Sequence, residues 1–302
     1  VMKLYDQGLI DLGAPVVDYL PMFVGKQEKY YSHKKKITIG HLLSHTSGLP
    51  PFKNYSFIQG NMEVVLDSIY NTAPSHNLSD TTIYSDIGII ILGKVIESIS
   101  GLSLDEFSRQ NIFQPLGMNT TMYNPPKEKL HRVVPTEISK NNILIKGFVH
   151  DENALRMQGV AGHAGLFSTA KDLALFSQMM LNNGIYRWER IFKSETVKLF
   201  TSKSSFIKQS SRCFGWDSPS GKASGGVYLS DNSYGHTGFT GASLWIDPEN
   251  GIFVILLTNA IHPKRASKNP AYFDWRQKLH SSVYESLGYK DKNPKLKWRK
   301  KW

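Results

Sequence analysis

A glycine-rich segment, Gly235-His236-Thr237-Gly238-Phe239-Thr240-Gly241, indicates the architecture of this protein. Two short apolar runs follow it, at 242–246 and 252–257, and a five-residue loop rich in turn-forming residues separates them. Such a pattern is typical of a β-hairpin. We therefore predict an antiparallel sheet in which the glycine-rich stretch is one strand. Glycine within a strand often marks the close approach of backbone or ligand.

This strand carries two candidates for chemistry. His236 stands at its centre, and the main-chain N–H of Phe239 is available to a developing oxyanion. We expect Gly235 and Gly238 to let a substrate backbone come close. The alternative is a glycine-rich strand with a packed histidine and no catalytic role.

The region before residue 212 is predicted to be mostly helical. Helices are expected at 1–7, 39–44, 62–70, 87–99, 103–112 and 170–182, each from apolar spacing or from a capping residue at its start. The first of these has Val1, Leu4 and Tyr5 on one face and a stop at Gly8. Because nothing precedes Val1 to cap it, we expect this helix to begin upstream of the sequence.

Two further elements are predicted after residue 212. Val227-Tyr228-Leu229 is typical of a strand. The last helix is expected to cover the sheet with an apolar face, which consists of Tyr272, Trp275, Leu279, Val283 and Leu287. Helices followed by an antiparallel sheet indicate a helical lobe beside an α/β lobe.

Composition permits one large domain or two lobes. The 302 residues are 40% hydrophobic and 20% charged, which is ordinary for a globular protein, and no apolar run reaches membrane-spanning length. The single Cys213 excludes an internal disulfide. We predict a domain over 1–289, with a helical lobe at about 9–211 and a sheet lobe at about 212–289, followed by a basic tail at 290–302.

The tail holds much of the net charge of +11, because seven basic residues stand there against one acidic residue. Such a segment could contact an anionic membrane or cell-wall surface. The favoured alternative is a solvated, frayed tail. The body of the chain shows no basic stripe, so nucleic acid is not an expected partner.

Tyr84-Ser85-Asp86 stands directly before an apolar helix. Ser85 or Asp86 can cap the exposed amides of that helix, which is the structural interpretation of both residues. A phenol at such a junction can reach a cleft. As a phenolate, Tyr84 could take a proton from a nearby hydroxyl, provided that positive charge lowers its pKa.

Several histidines invite a metal interpretation, which their spacing disfavours. His150, His163 and His236 are far apart in sequence, whereas zinc enzymes usually place two ligands close together on one element. We predict neither a metal nor a cofactor. His163 is expected on a glycine-flanked loop at the cleft, His150 with Asp151 is expected to orient local backbone, and His45 is interpreted as part of a turn.

Together these motifs resemble the serine β-lactamase and penicillin-binding-protein superfamily, in its class C and esterase-like branch. Tyr84-Ser85-Asp86 stands at the Tyr-x-Asn position of that family and His236-Thr237-Gly238 at its Lys-Thr-Gly position. Two longer segments, 41–50 and 165–173, match as well. The resemblance implies an α/β (α+β) fold of the β-lactamase/transpeptidase type, with a helical lobe beside an antiparallel sheet flanked by helices.

The resemblance also implies roles. Tyr84 would be the general base that later protonates the leaving group. Asp86 would hold the substrate or a lysine, and His236 would support the tyrosine. The Phe239 N–H would be one oxyanion donor. The substrate-binding residues would be His163, Thr237, Gly238 and Thr240. Asp86 in place of asparagine adds negative charge, which disfavours β-lactam turnover.

The family carries its nucleophile in a Ser-x-x-Lys motif on the helix just before the segment that resembles residues 1–8. That segment and the strands that precede it are absent here, so we expect the chain alone to be inactive. A closer resemblance, through 149–154, 162–165, 215–220 and 235–248, is to exo-acting N-acetylmuramyl-L-alanine amidases.

This resemblance implies a muropeptide substrate, or another amide or ester, in the periplasm or outside a bacterial cell. It also implies a possible upstream β-N-acetylglucosaminidase domain. The alternative is a non-catalytic relative that binds peptidoglycan fragments.

Overall fold

The computed structural model describes residues 1–203 and 212–300. The α-helices, in chain order, are α1 Met2–Asp6, α2 Val16–Tyr19, α3 Tyr31–Lys34, α4 Ile39–Leu43, α5 Met62–Tyr70, α6 Asp86–Ser100, α7 Leu104–Ser108, α8 Gln114–Leu116, α9 Glu152–Arg156, α10 Ala170–Leu181, α11 Ser194–Thr201 and α12 Pro270–Ser286. A π-helical turn joins α7 to α8. The predicted helices from 1–7 to 170–182 are therefore confirmed as elements, with 103–112 divided between α7 and that turn.

The main sheet has three antiparallel strands in the order β7-β8-β9. Over the described ranges the strands are β1 Met122–Tyr123, β2 Glu137–Ile138, β3 Leu144–Ile145, β4 Leu166–Phe167, β5 Ile185–Tyr186, β6 Glu189–Arg190, β7 Tyr234–Thr237, β8 Ser243–Asp247 and β9 Ile252–Leu256. The other six form two-stranded pairs, β1-β4, β2-β3 and β5-β6. The predicted hairpin is β8-β9, and the glycine-rich stretch supplies β7.

Gly235 has a structural role that the sequence analysis did not assign to it. A Cβ atom built at this position would lie 2.4 Å from the Leu244 carbonyl oxygen and 2.4–2.7 Å from the Trp245 ring. The expectation that Gly235 admits a substrate is therefore wrong, because the indole of Trp245 fills that space. At Gly238 the nearest atom is the Ala242 Cβ, at 3.6 Å, so a Cβ atom would make only ordinary van der Waals contact there.

The helical lobe is organised around α6, whose buried side chains belong to the largest core cluster. Ser85 caps its first turn by accepting from the Gly88 N–H at 3.2 Å, and Gly101 ends it with a φ of 71°. A left-handed residue at this position is most easily a glycine. These local signals place the start of α6, and with it Tyr84, at the edge of the lobe.

Helices cover both faces of the sheet. Met179 and Met180 of α10 belong to one core cluster with Tyr234 and Ile246, whereas Tyr284 of α12 belongs to another with Trp245. The sequence-based division into lobes at residue 211 stays a prediction. In the structure α10, which that division assigns to the helical lobe, contacts β8 and β9.

The predicted apolar face of α12 is wrong in part: Val283 packs against the cluster that contains Trp245, but the fully buried face of the helix is a different one. Trp275 and Leu287 are 44% and 59% exposed, while the buried residues of this helix are Arg276, Gln277, His280, Ser281 and Tyr284. Gln277 donates to the carbonyls of Ala223 and Lys297, and Tyr284 donates to Asp247. A polar face can be buried when its groups find such partners, and hydrophobic periodicity does not detect it.

Two other expectations differ from the structure. Residues 227–229 form no strand, although all three are buried. The basic tail is not frayed over its described part. Asn293 N–H donates to the Val227 carbonyl at 2.8 Å, Leu296 is 7% exposed, and Trp298 packs against the same cluster.

Among the described residues, no single helix has the length and apolar character needed to cross a membrane. α6 and the helical segment from Leu104 to Leu116 reach that length only as a pair bent by 77°.

Backbone strain at the β5-β6 hairpin gives a stability prediction. Its two-residue turn has φ values of 46° at Arg187 and 70° at Trp188, and the Trp188 side chain is 100% exposed. Such turns favour Asn-Gly because both positions need positive φ. We expect Trp188→Gly to raise the free energy of unfolding by about 1 kcal/mol, measured by urea denaturation. Trp188→Ala keeps the strained Cβ and is expected to give no gain; an equal gain from both variants would contradict this explanation.

Candidate active site

Tyr84, Ser85 and Asp86 stand together at the start of α6 and have different roles. Ser85 is 1% exposed and donates its hydroxyl to the Pro50 carbonyl at 2.7 Å while it caps the helix. Tyr84 is 38% exposed, and the Asp86 carboxyl group is close enough to its phenol to act on it electrostatically. The capping interpretation is therefore correct for Ser85, while Tyr84 and Asp86 form a polar pair beside it.

His45 lies directly against Tyr84. Their ring centroids are 4.5 Å apart, and the His45 Nδ1 accepts from the Ser85 N–H at 3.1 Å. His45 is 3% exposed with a φ of 57°, so it is indeed part of a turn. Burial, together with the charge of Arg212, lowers its pKa to about 2, and the imidazole is neutral. The turn interpretation missed that this ring supports the tyrosine.

His236 faces Tyr84 from strand β7, with the two ring centroids 5.7 Å apart. Its Nδ1 donates to the Thr237 carbonyl at 3.0 Å, and its Nε2 accepts from the Arg212 Nη2 at 3.2 Å. Burial lowers the pKa of His236, as does Arg212, while Asp217 acts in the opposite direction. This imidazole is therefore a neutral acceptor that holds a guanidinium group.

Arg212 places a cation at this site, and no pattern in the sequence indicates it. Its guanidinium carbon lies 5.4 Å from the centroid of the Tyr84 ring, and Nη2 forms an ion pair with Asp217. One side chain thus joins the phenol, the imidazole and a carboxylate. A planar guanidinium group is suited to such combined stacking and hydrogen bonding.

The balance of these effects does not favour a phenolate. Burial raises the pKa of Tyr84, the neighbouring Asp86 raises it further, and Arg212 only partly offsets both. Burial also raises the pKa of Asp86. The positive charge on which the sequence analysis made the phenolate conditional is therefore present but insufficient, and Tyr84 is a neutral donor in this arrangement.

His163 lies near Asp86 and is hydrogen bonded to Asp151. Its Nε2 donates to the Asp151 carboxylate at 2.9 Å, and its side chain is almost fully buried. His163 and Asp151 both act electrostatically on Asp86, the first lowering and the second raising its pKa. Asp151 also accepts from the Ala154 N–H and caps α9. The structure therefore places His163 near Asp86, in contact with protein groups.

The turn after β7 presents the predicted oxyanion donor. The Gly238 N–H donates to Ala242 at 2.7 Å, and the Gly241 N–H donates back to Gly238 at 3.1 Å. Within the described ranges, the Phe239 N–H has no hydrogen-bond acceptor. Thr240 accepts from the Ala260 N–H at 2.7 Å through its carbonyl, so that residue anchors the turn.

His150 belongs to the wall around Phe239. Its Nε2 donates to Glu137 at 2.8 Å, and its ring meets the edge of Phe239 with centroids 6.0 Å apart. The three histidines of the metal interpretation thus have three different partners. Residues 1–203 and 212–300 contain no cluster of three or more histidine, cysteine or carboxylate side chains able to hold a metal ion.

The structure therefore unites most of the predicted site. Tyr84 has both Asp86 and His236 as neighbours, and Thr237, Gly238 and Phe239 continue from His236 along the same strand and turn. His45 and Arg212 complete the group. His45 lies within residues 41–50, a segment that resembles the family, whereas only the folded chain brings Arg212 to Tyr84.

Arg212 provides a test of this electrostatic arrangement. We expect Arg212→Met to raise the pKa of His236, because the variant removes a positive charge and leaves the Asp217 carboxylate nearby. The imidazole pKa is measured by NMR titration of residues 1–302. The exposed Lys222→Met is a charge-matched control that should leave His236 unchanged. An unaltered His236 pKa in Arg212→Met would show that the guanidinium does not act on it.

Sequence comparisons agree with this geometry. The sequence profile of the Beta-lactamase family matches residues 1–276. An N-acetylmuramyl-L-alanine amidase of Bacillus subtilis is 33% identical over 95% of this chain and 72% of its own length. A protein of Escherichia coli with the provisional name D-alanyl-D-alanine carboxypeptidase is 32% identical, over 91% of this chain and 69% of its own.

Solved structures show the same fold. A penicillin-binding protein homologue from Caulobacter crescentus superposes with a TM-score of 0.69 at 17% identity, covering 95% of this chain and 79% of its own. Simvastatin synthase from Aspergillus terreus also gives a TM-score of 0.69, at 18% identity, over 95% and 81% of the two chains. At these identities the likeness concerns the fold alone.

Proposed function

This chain belongs to the Beta-lactamase family of serine hydrolases, and we propose that it serves as an acyl hydrolase on amide bonds of cell-wall muropeptides. The observation that carries the proposal is the contact of the Tyr84 phenol with Asp86, His45, His236 and Arg212. The amidase name of the Bacillus subtilis relative supports the choice of substrate.

In the proposed reaction a serine hydroxyl oxygen attacks the amide carbonyl carbon and loses its proton to a base. The Phe239 N–H donates to the oxyanion of the resulting tetrahedral intermediate. Tyr84 then gives its phenolic proton to the departing amine nitrogen as the C–N bond breaks, leaving an acyl-enzyme. Water then attacks the ester carbonyl and gives one proton to the Tyr84 phenolate, while the base returns its proton to the departing serine oxygen. The acid is released, and the serine and the tyrosine are restored.

The protonation state of Tyr84 suits the step in which the departing amine is protonated. Because its pKa is raised, the phenol holds a proton that it can donate to the leaving group. Its use as a base in the first step needs more positive charge than Arg212 supplies. We propose that the lysine of a Ser-x-x-Lys motif supplies that charge in the native protein.

We assign the nucleophile to a Ser-x-x-Lys motif upstream of α1, by resemblance to the family. Three tetrapeptides within the chain fit that pattern by letters alone, beginning at Ser32, Ser168 and Ser205. Ser32 is exposed on α3, and Ser168 hydrogen bonds to Thr121 at 2.8 Å. Neither has a hydrogen bond to Tyr84 or His236 in the described part of the chain, and Ser205 lies outside it.

The proposed setting is the bacterial cell envelope, in the periplasm or outside the cell. The basic tail supports an interaction with an anionic wall or membrane surface. Its lysines are exposed where the structure describes them, while Leu296 and Trp298 attach the segment to the fold. Such charge attracts anionic polymers without fixing a particular one.

The function is tested with the full-length natural protein acting on N-acetylmuramyl-L-alanine peptides. We expect Tyr84→Phe to lower kcat about 100-fold or more, because it removes the proton that the leaving group needs. Tyr30→Phe, which removes a phenol outside the site, is the matched control. A protein that binds these fragments without cleaving them, and that no fluorophosphonate labels, would instead be the non-catalytic relative.

The assignment of the nucleophile has its own test. Residues 1–302 alone are expected to form no acyl-enzyme with a fluorophosphonate or a fluorescent penicillin, as followed by intact-protein mass spectrometry. The full-length protein is the positive control and should gain one adduct. A stable adduct on Ser32, Ser168 or Ser205 of the shorter chain would refute the upstream assignment.

A further inference from the structure

Lys268 makes a set of contacts that the proposed chemistry does not yet use. Its ammonium nitrogen donates to the Phe239 carbonyl at 2.6 Å and lies 3.4 Å from the Gly238 carbonyl. The same nitrogen lies 5.4 Å from the centroid of the Phe239 ring. One cation therefore contacts the carbonyls on both sides of the predicted oxyanion donor.

These contacts determine where the Phe239 N–H points. The Gly238 carbonyl and the Phe239 N–H belong to one trans peptide unit, so they point in opposite directions. The carbonyl is directed toward the Gly241 N–H, at 3.1 Å, and toward Lys268. The N–H must then emerge on the face of the turn away from Lys268, which is the face without an acceptor among the described residues.

Neighbouring cations do not duplicate this role. Arg265 also lies over the Phe239 ring, at 5.4 Å, but it is paired with Glu137 and Glu152. Tyr272 donates to the Gly241 carbonyl and so holds the far end of the turn. Within the described ranges Lys268 forms no ion pair with a carboxylate, so its charge at the turn is not neutralised by a direct partner.

We propose that Lys268 is a positioning residue for the oxyanion site. Its ammonium group fixes the two peptide planes around Phe239 and adds positive charge behind the N–H that receives the developing negative charge. Preorganised donors of this kind act on the transition state more than on the bound substrate. Lys268 itself touches no reacting atom.

This inference rests on the proposed acyl hydrolysis, and the first test uses the full-length protein. Lys268→Met is expected to lower kcat about tenfold with little change in KM, a smaller loss than removal of an oxyanion donor itself. Its affinity for a boronic acid that forms a tetrahedral adduct should fall by the same factor. Lys268→Arg should recover part of both, and the exposed Lys264→Met is the matched control.

A second measurement does not depend on turnover. In residues 1–302, NMR order parameters of the amides from Gly238 to Gly241 should fall in Lys268→Met and remain unchanged in Lys264→Met. If the wild-type full-length protein lacks activity, the proposed function fails while this measurement still decides the positioning role.

Three outcomes overturn the inference on Lys268. One is an unchanged kcat in Lys268→Met of an active protein. Another is an equal loss of affinity for the substrate and for the tetrahedral adduct. The third is an unchanged order parameter throughout the turn. A lower melting temperature with intact kcat would likewise assign Lys268 to stability alone.

Discussion

The pairing register of β7 with β8 is the constraint on which the rest of the site depends. Tyr234 pairs with Ile246, Gly235 with Trp245 and His236 with Leu244. Side chains alternate between the two faces of a strand, so a register shift by one residue would move each side chain of β7 to the opposite face of the sheet. The indole of Trp245 prevents such a slip, because only a glycine fits above it.

With this register, His236 contacts Tyr84 of the helical lobe, and the turn after β7 lies at the end of the strand. The electrostatics of the pocket follow from what His236 meets there. Its imidazole and that of His45 are neutral because they are buried beside a guanidinium group. Arg212 places positive charge beside Tyr84, and its ion-pair partner is Asp217. The two neutral histidines therefore have a positioning role: both rings pack against Tyr84, and His236 accepts a hydrogen bond from Arg212.

Those parts of the fold that depend on local signals could be predicted from the sequence. Ser85 caps a helix as its position indicates, and the loop around Pro248 produces the expected hairpin. Tyr84 and His236, which are 152 positions apart in the numbering, could be brought together only through resemblance to a family. No local pattern connects residues at that distance.

What could not be predicted depends on partners far away in sequence. Arg212 has meaning only beside Tyr84 and His236, and its own neighbours in the chain give no indication of a site. Residues 227–229 have strand-like composition, but their backbone groups form hydrogen bonds with α12 and the tail. The Val227 N–H donates to the Ser281 hydroxyl, and the Val227 carbonyl accepts from the Asn293 N–H. The apolar stripe of α12 is not its most buried face, because Gln277 and Tyr284 donate hydrogen bonds to acceptors in the tail, the sheet and the segment before it.

That polar seam under α12 has a consequence for how the chain can vary. An oily interface tolerates exchange among residues of similar volume, since its attraction has no preferred direction. Gln277 instead binds Ala223, Lys297 and Arg299 at once, and no apolar residue of its size can replace an amide in three such bonds. Substitutions along this helix are therefore coupled to the carboxyl-terminal segment, and divergence in one should be accompanied by divergence in the other.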